Sequence, residues 1–268
     1  MNTTSFAGNA KVVAVIPALD EELSIAAVIL SLRSQGITRI IVADNGSRDA
    51  TVAVATAAGA TVVPAPRRGY GSACLAALAT VPADAAAVVF CDADGADDLS
   101  LLSSIVTPVI TNQFDLVIGS RVLGHAEVGA LTPPQRMGNL VAAALMRLLY
   151  GKTVTDLGPF RCISMAALAR LQMNDPAFGW TAEMQVKAFR LSLRVCEIPV
   201  TAKVRTAGES KISGRWWPVL QAGWAIISTI LYYWLVPMNS KNASVGVQDT
   251  LRDVESCDSC ATDPVNGK

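Results

Sequence analysis

The sequence predicts an α/β domain built on a mostly parallel central sheet with helices on both faces. Short apolar, β-branched runs recur through the first half of the chain, and segments with helical spacing separate them. The runs are apolar throughout rather than alternating, which suits strands covered on both sides.

Residues 12–16 (VVAVI) make the first strand, followed by a helical segment over 21–35. The next strands fall at 40–42, 60–63, 87–91 and 116–118, with helical spacing at 49–58, 72–81 and 99–112 between them. The second half changes character. Pro133 and Pro134 open a helix that runs to Tyr150. A turn over 156–159, two shorter helices and a strand pair within 195–204 follow, then a polar, glycine-bearing stretch at 206–214. Residues 216–236 carry no charge over 21 positions and have aromatic residues at both ends. As a helix this segment would reach roughly 30 Å, about the thickness of bilayer hydrocarbon. It predicts membrane contact, either spanning or lying flat. The expected organisation is a catalytic domain over 1–214, a membrane-associated helix over 215–237 and a disordered polar tail over 238–268.

The composition narrows the function. Of 268 residues, 51% are hydrophobic and only 16% charged, so a membrane contact fits. Lys+Arg and Asp+Glu balance at 22 each and no basic run occurs, which argues against a nucleic-acid partner. Residues 1–10 show neither a basic nor an apolar signal region, so the catalytic part is expected on the cytoplasmic side. Cys74, Cys91, Cys162 and Cys196 lack metal-ligand spacing and read as reduced, buried thiols. Cys257 and Cys260 form a lone C-x-x-C, half of a zinc site, and are expected to be inert.

In an open α/β sheet, ligands bind beyond the carboxyl ends of the strands. Three such ends carry acids: PALDEE at 17–22, DNGS at 44–47 and DADG at 92–95. Each acid also has a plain structural reading. Asp20 could cap the first helix with Glu21 and Glu22 favouring its positive end, and Ser47 could cap the second. The Asp92-x-Asp94 pair is the sharpest signal, because two carboxylates after a buried strand repel unless a cation joins them. Hard oxygen ligands fit Mg²⁺ or Mn²⁺, with phosphate oxygens completing the shell. Arg67, Arg68, Gly69 and Gly71 precede the third helix, where glycine allows close backbone approach and a helix start holds an anion. Gly69-x-Gly71 also mimics a dinucleotide fingerprint, but Cys74 replaces the third glycine and the motif follows the third strand rather than the first.

The ordered set VVAVIPALDEE, VADNGSRDAT, RRGYGSA, CDADG and IGSR resembles the inverting family-two glycosyltransferases of the GT-A (nucleotide-diphospho-sugar transferase) fold. The later run VTDLGPFR, GWTAEMQVKA and EIPVTAKVRTAGESKISG resembles their dolichyl- or polyprenyl-phosphate branch. The resemblance covers residues 11–214 and assigns roles by position. It implies that Pro17, Ala18, Glu21 and Asp44 line the nucleobase and ribose pocket and that Arg68 and Gly69 lie near the donor. Asp92 would sit beside the ribose and diphosphate, and Asp94 would hold Mg²⁺ or Mn²⁺. Arg121 and Arg205 would meet acceptor or diphosphate charge, while Ser210 and Lys211 would help hold an acceptor phosphate. Glu183 would lie on the acceptor side.

The implied reaction is a single in-line displacement at the anomeric carbon that inverts its configuration, with a nucleotide-sugar donor. Family frequency favours UDP-glucose, then GDP-mannose. A hydroxyl acceptor needs a general base, for which Asp156 and Glu183 are the candidates. Related enzymes with soluble acceptors often carry an Asp after the equivalent of Glu183, where this chain has Met184. A phosphate monoester needs no base, since its second pKa is about 6. Arg205, Lys211 and Arg215 precede the apolar helix, which suits an anionic lipid acceptor. Polymer-making members carry Gln-x-x-Arg-Trp; Arg215-Trp216 lacks the Gln, so a single transfer is expected. His125 lies in an expected mobile loop over 122–131 and is read as solvated.

Three alternatives remain. A glycosyltransferase with a soluble small-molecule acceptor fits the single apolar helix. VVFCDADG also resembles the nucleophile motif of haloacid-dehalogenase-like phosphatases, with Asp92 as nucleophile and Asp94 as acid/base; there, however, the motif usually opens the fold and Thr is usual where Ala96 stands. A non-catalytic, nucleotide-binding membrane subunit is the third.

Overall fold

The computed structural model describes residues 11–205 and 216–236, of 216–220 the backbone alone. The strands are β1 (Val12–Ala18), β2 (Arg39–Asp44), β3 (Thr61–Pro64), β4 (Ala87–Phe90), β5 (Leu116–Ala126), β6 (Arg161–Ser164) and β7 (Val195–Ala202). The helices are α1 (Ile25–Ser34), α2 (Thr51–Ala57), α3 (Tyr70–Leu78), α4 (Leu102–Ile110), α5 (Pro133–Tyr150), α6 (Met165–Leu171), α7 (Trp180–Arg190) and α8 (Trp216–Leu235).

The seven strands form one sheet in the order β3-β2-β1-β4-β6-β5-β7. β1 pairs in parallel with β2 and β4, β2 with β3, and β5 with β7. β6 runs antiparallel between β4 and β5. The expected mostly parallel sheet is present. Its apolar runs are buried on both faces: Val12, Ala14 and Ile16 of β1 join one core cluster, Val13 and Val15 the other. α1 buries Ile25, Val28, Ile29 and Leu32, the spacing of one helical face, against the first cluster.

Four expectations need correction. β6 (RCIS) was not anticipated, because a four-residue strand bearing a charged residue gives little periodic signal. The region 195–204 is one strand, β7, paired with β5, rather than a strand pair. The segment 122–131 is not all loop: β5 continues to Ala126 past a register shift, and His125 pairs with Thr201. Asp20 does not cap α1; it adopts φ 49° and its carboxylate accepts the Arg48 N–H at 2.7 Å. Ser47 likewise accepts the Asp20 N–H at 2.9 Å, so both side chains stitch the ends of β1 and β2 together.

α5 starts as its sequence dictates, with proline in its first turn and a reciprocal cap between Thr132 and Gln135; Gly151 ends it in the left-handed conformation. α7 lies between two apolar layers. Trp180, Met184 and Ala188 pack under the sheet, where Trp180 meets Phe90 edge to face at 6.1 Å. Ala182 and Val186 face a third cluster with Ala142 and Met146 of α5 and Ile230 of α8. α8 is therefore packed on the domain, in one compact unit ending at Val236. Among the described residues, no helix is long and apolar enough to cross a membrane. Residues 1–10, Ser210, Lys211, Arg215, Cys257, Cys260 and the tail 238–268 lie outside the described residues. Cys74, Cys91 and Cys162 are buried free thiols, and Cys196 is half-buried.

Candidate active site

The acid-bearing ends of β1, β2 and β4 meet on one side of the sheet. At the end of β2, Asp44 folds back to accept the N–H groups of Gly46 and Ser47, at 3.2 and 3.1 Å. Asn45 holds the turn before α3: its side chain donates to the Arg67 carbonyl and accepts from the Gly69 N–H, both at 2.9 Å. Pro17 and Ala18 of β1 pair with Ala43 and Asp44, beside this turn. Arg68 is exposed above it.

The β4 end is crowded with acid. Asp94 is buried and Asp92 half-buried beside it. Burial first, then the negative charges of Asp97 and Asp94, push the Asp92 carboxyl well above the usual range. Asp97 is raised to about 7, again mainly by burial, although it accepts the Asp92 N–H at 2.9 Å. Asp97 was missed in the sequence; a third acid within five residues of Asp92 was the available signal. Arg205 answers this charge. It lies 2.9 Å from Asp94 Oδ2 and 3.7 Å from Glu21 Oε1. The segment around it is clamped to the β4 end by the Lys203 N–H to the Ala96 carbonyl at 2.9 Å, and by Lys203 to Asp98 at 2.8 Å.

Arg121 at the bend of β5 forms a two-pronged pair with Asp156, Nε to Oδ2 and Nη2 to Oδ1, both 2.7 Å. The Arg121 N–H adds a third bond to Asp156 Oδ2 at 2.8 Å. Burial alone would lower the Arg121 pKa, but the Asp156 pair outweighs it and holds the guanidinium firmly protonated. Glu197 of β7 accepts the backbone N–H groups of Thr155 and Asp156, fixing that loop from below. Glu197 and the fully buried Arg161, which donates to the Gly158 and Thr181 carbonyls, were also not foreseen.

Both base candidates are buried and already engaged with partners. Asp156 is 0% exposed and its oxygens are committed to Arg121. Glu183 is 0% exposed. It pairs with Lys187 at 2.6 Å and accepts from the N–H groups of Asn174 and Asp175 and from the Tyr233 hydroxyl. The structure thus brings together Glu21, Asp92, Asp94, Arg121 and Arg205, while the partners of Glu183 come from α7, α8 and the loop between α6 and α7.

Beside Arg121 a cavity of about 740 Å³ opens between the outer part of β5, α5 and α8. Val122, Leu131, Leu140, Val154, Leu157 and Ile226 give it apolar walls. Arg121, His125, Arg136 and Asp156 also line it.

The residues fit a divalent cation of a particular kind. Among the described residues, no group of three or more His, Cys, Asp or Glu could hold a metal ion. Among the described residues the acidic cluster therefore offers fewer than three such ligands, and Asp94 faces a cationic partner already. That donor set suits an ion that brings most of its shell as diphosphate and water oxygens.

The glycosyl transferase family 2 model matches residues 13–171, more than half of the chain. The chain belongs to glycosyl transferase family 2. It is a glycosyltransferase of the GT-A fold, which sets aside the phosphohydrolase and non-catalytic readings. Family 2 relatives cover most of its length. An uncharacterized glycosyltransferase of Mycobacterium tuberculosis is 37% identical over 210 residues, 78% of this chain and 92% of that one. The dolichyl-phosphate hexose transferase of Haloferax volcanii is 29% identical over 201 residues, 72% of this chain and 82% of that one. Among solved structures, glucosyl-3-phosphoglycerate synthase from Mycobacterium tuberculosis in complex with Mn²⁺ and UDP-glucose superposes with a TM-score of 0.69. It is 25% identical, over 86% of this chain and 81% of that one.

Proposed function

We propose that this glycosyltransferase moves one hexose from a nucleotide-sugar, UDP-glucose before GDP-mannose, to a polyprenyl or dolichyl phosphate, inverting the anomeric carbon. The observation that carries the reading is the cavity beside Arg121: an apolar trough with a fixed guanidinium in its wall suits a phosphate with a hydrocarbon tail. The nucleotide lies over the ends of β1 and β2, with Pro17, Ala18, Glu21 and Asp44 about the base and ribose and Arg68 and Gly69 near the phosphates. Asp94, with Asp92, would hold a divalent cation, whose charge would support the departing nucleoside diphosphate. A phosphate oxygen of the acceptor attacks the anomeric carbon as the bond to the diphosphate oxygen breaks. At neutral pH that acceptor is already largely deprotonated, so the engagement of Asp156 and Glu183 elsewhere costs the reaction nothing. Arg121 orients the acceptor phosphate, and Arg205 balances charge between Asp94 and the diphosphate. The resemblance also assigns Ser210 and Lys211, which lie outside the described residues, to the acceptor phosphate.

The outer surface supports the lipid reading. α5 exposes Met137, Leu140 and Leu148, and α8 exposes Trp224, Trp234 and Leu235; Leu148 and Trp224 are 78% and 72% exposed. Such exposed apolar side chains suit a helix pair lying flat on the cytoplasmic side of a membrane. A soluble phosphorylated acceptor is the second reading, favoured by His125 and Arg136 on the cavity wall; one structural neighbour binds phosphoglyceric acid with UDP and Mn²⁺. Melting curves with UDP, GDP, CMP and NAD, each with and without Mn²⁺, test the donor half. Stabilisation by UDP or GDP that requires Mn²⁺ is expected; equal stabilisation by NAD, or none by either diphosphate, would contradict it.

A further inference from the structure

Glu183 and Tyr233 have a place outside the acidic cluster. Four residues of α7 and α8 converge on the loop between α6 and α7. Glu183 accepts the Asn174 N–H at 3.1 Å and the Asp175 N–H at 2.9 Å. Tyr233 puts its hydroxyl 2.8 Å from Glu183 Oε1 and 2.9 Å from Asn174 Oδ1. Thr229, one turn earlier on α8, donates to Asp175 Oδ2 at 3.3 Å. Lys187 closes the set, paired with Glu183, bonded to the Gln172 carbonyl at 2.6 Å and 5.0 Å from the Tyr233 ring centre.

The far side of the same loop is the wall of the turn before α3. The Gly71 N–H donates to the Ala177 carbonyl at 3.1 Å, and the Ser72 N–H to the Pro176 carbonyl at 2.9 Å. Gly69 has φ 138°. A Cβ at Gly69 would collide with the Pro176 carbonyl, and one at Gly71 with the Asp175 carbonyl. Backbone packs on backbone here without a side chain between, so a displacement of the loop passes to the turn undamped.

We infer that Glu183 and Tyr233 are positioning residues for the donor: they latch α8 to the 172–177 loop, which sets the Gly69–Gly71 turn. This rests on the proposed placement of the donor phosphates at that turn. Neither residue touches donor or acceptor. They act through backbone that does, and α8 thereby becomes part of the nucleotide site although it lies more than 140 residues further along the chain.

Two hydroxyl deletions on the same helix contact separate this role from simple support. Tyr233→Phe removes the latch. Tyr150→Phe removes a bond of comparable quality, from its hydroxyl to the Ile230 carbonyl of α8 at 2.6 Å, which has no contact with the loop. Both should lower the melting temperature. Only Tyr233→Phe, and with it Thr229→Val, should weaken UDP binding in the presence of Mn²⁺, by about fivefold in a calorimetric titration. Equal UDP affinity in Tyr233→Phe and wild type, or equal weakening in Tyr150→Phe, overturns the inference while leaving the donor site standing. Failure of the wild-type protein to bind UDP or GDP at all overturns the donor reading and the inference together.

Discussion

Arg205 bridges the ends of two strands: one guanidinium nitrogen is 2.9 Å from Asp94 Oδ2 and the other 3.7 Å from Glu21 Oε1. The longer contact exceeds a hydrogen bond, and that nitrogen is buried without a hydrogen-bond partner among the described residues. Asp94, which the proposed mechanism gives to the divalent cation, is thus already paired with this guanidinium. Metal and Arg205 must compete for Asp94. Arg205→Ala should raise Mn²⁺ affinity in the absence of nucleotide by about threefold to tenfold, while turnover falls because the diphosphate loses a cation. A titration of free Mn²⁺ by electron paramagnetic resonance measures the first effect; weaker Mn²⁺ binding in the variant would refute the competition.

Asp94 itself carries the metal in this account. Asp94→Asn should abolish the Mn²⁺-dependent part of UDP binding and cut transfer by about 10²-fold or more, with the far-ultraviolet dichroism unchanged. Undiminished transfer would remove Asp94 from the mechanism.

The Arg121–Asp156 pair joins stability to function. Asp156 is buried with its carboxylate committed to Arg121, and the Arg121 side chain is 24% exposed. Asp156→Ala leaves that guanidinium without its fork and should lose about 3 kcal/mol in denaturant unfolding. Arg121→Lys keeps the charge but cannot make two parallel bonds, so it should retain the fold better than it retains acceptor affinity. An acceptor KM unchanged in Arg121→Lys would place the acceptor phosphate elsewhere.

The acidic cluster predicts a pH dependence. In the unfolded chain Asp97 ionises near pH 4, while in the folded chain it keeps its proton up to about 7. Between those values the folded state binds more protons, so stability contributed by this group falls as pH rises. Asp92, also raised, acts in the same direction. A cation drawn to the cluster favours the ionised forms, so stabilisation by UDP with Mn²⁺ should grow from pH 5.5 to 7.5 as the apoprotein weakens. Asp97→Asn should flatten the apoprotein's profile. Melting temperatures across that range decide it; a profile rising with pH and insensitive to Asp97→Asn would count against the cluster's charge state.

The sheet and the acid-bearing strand ends were legible because their signals are local. A continuous apolar run names a covered strand, and the residue that ends it faces the crevice; VVAVIPALDEE and AVVFCDADG need no partner to be read. What escaped reading depends on partners distant in sequence. Arg161 resembles a surface residue, yet it fills a buried strand because the Gly158 and Thr181 carbonyls receive its protons. Glu183, Gln185 and Lys187 make α7 look half solvated, yet all three are buried because their partners come from loops and from α8. Asp156 in the VTDLGPF turn was taken for a possible base because nothing local says that Arg121, 35 residues earlier, will occupy it. Asp20 and Ser47 were likewise given to their own helices, whereas each bonds across to the other's loop.

The central claim is transfer to a lipid phosphate. The most direct test supplies radiolabelled UDP-glucose and, separately, GDP-mannose to the purified full-length chain with Mn²⁺. Each reaction contains either a polyprenyl phosphate in mixed micelles or 3-phosphoglycerate in buffer. The account predicts Mn²⁺-dependent label in the organic phase with polyprenyl phosphate, carried as a glycosyl phosphodiester of inverted anomeric configuration. Label appearing only on 3-phosphoglycerate, with none in the organic phase from either donor, would contradict it.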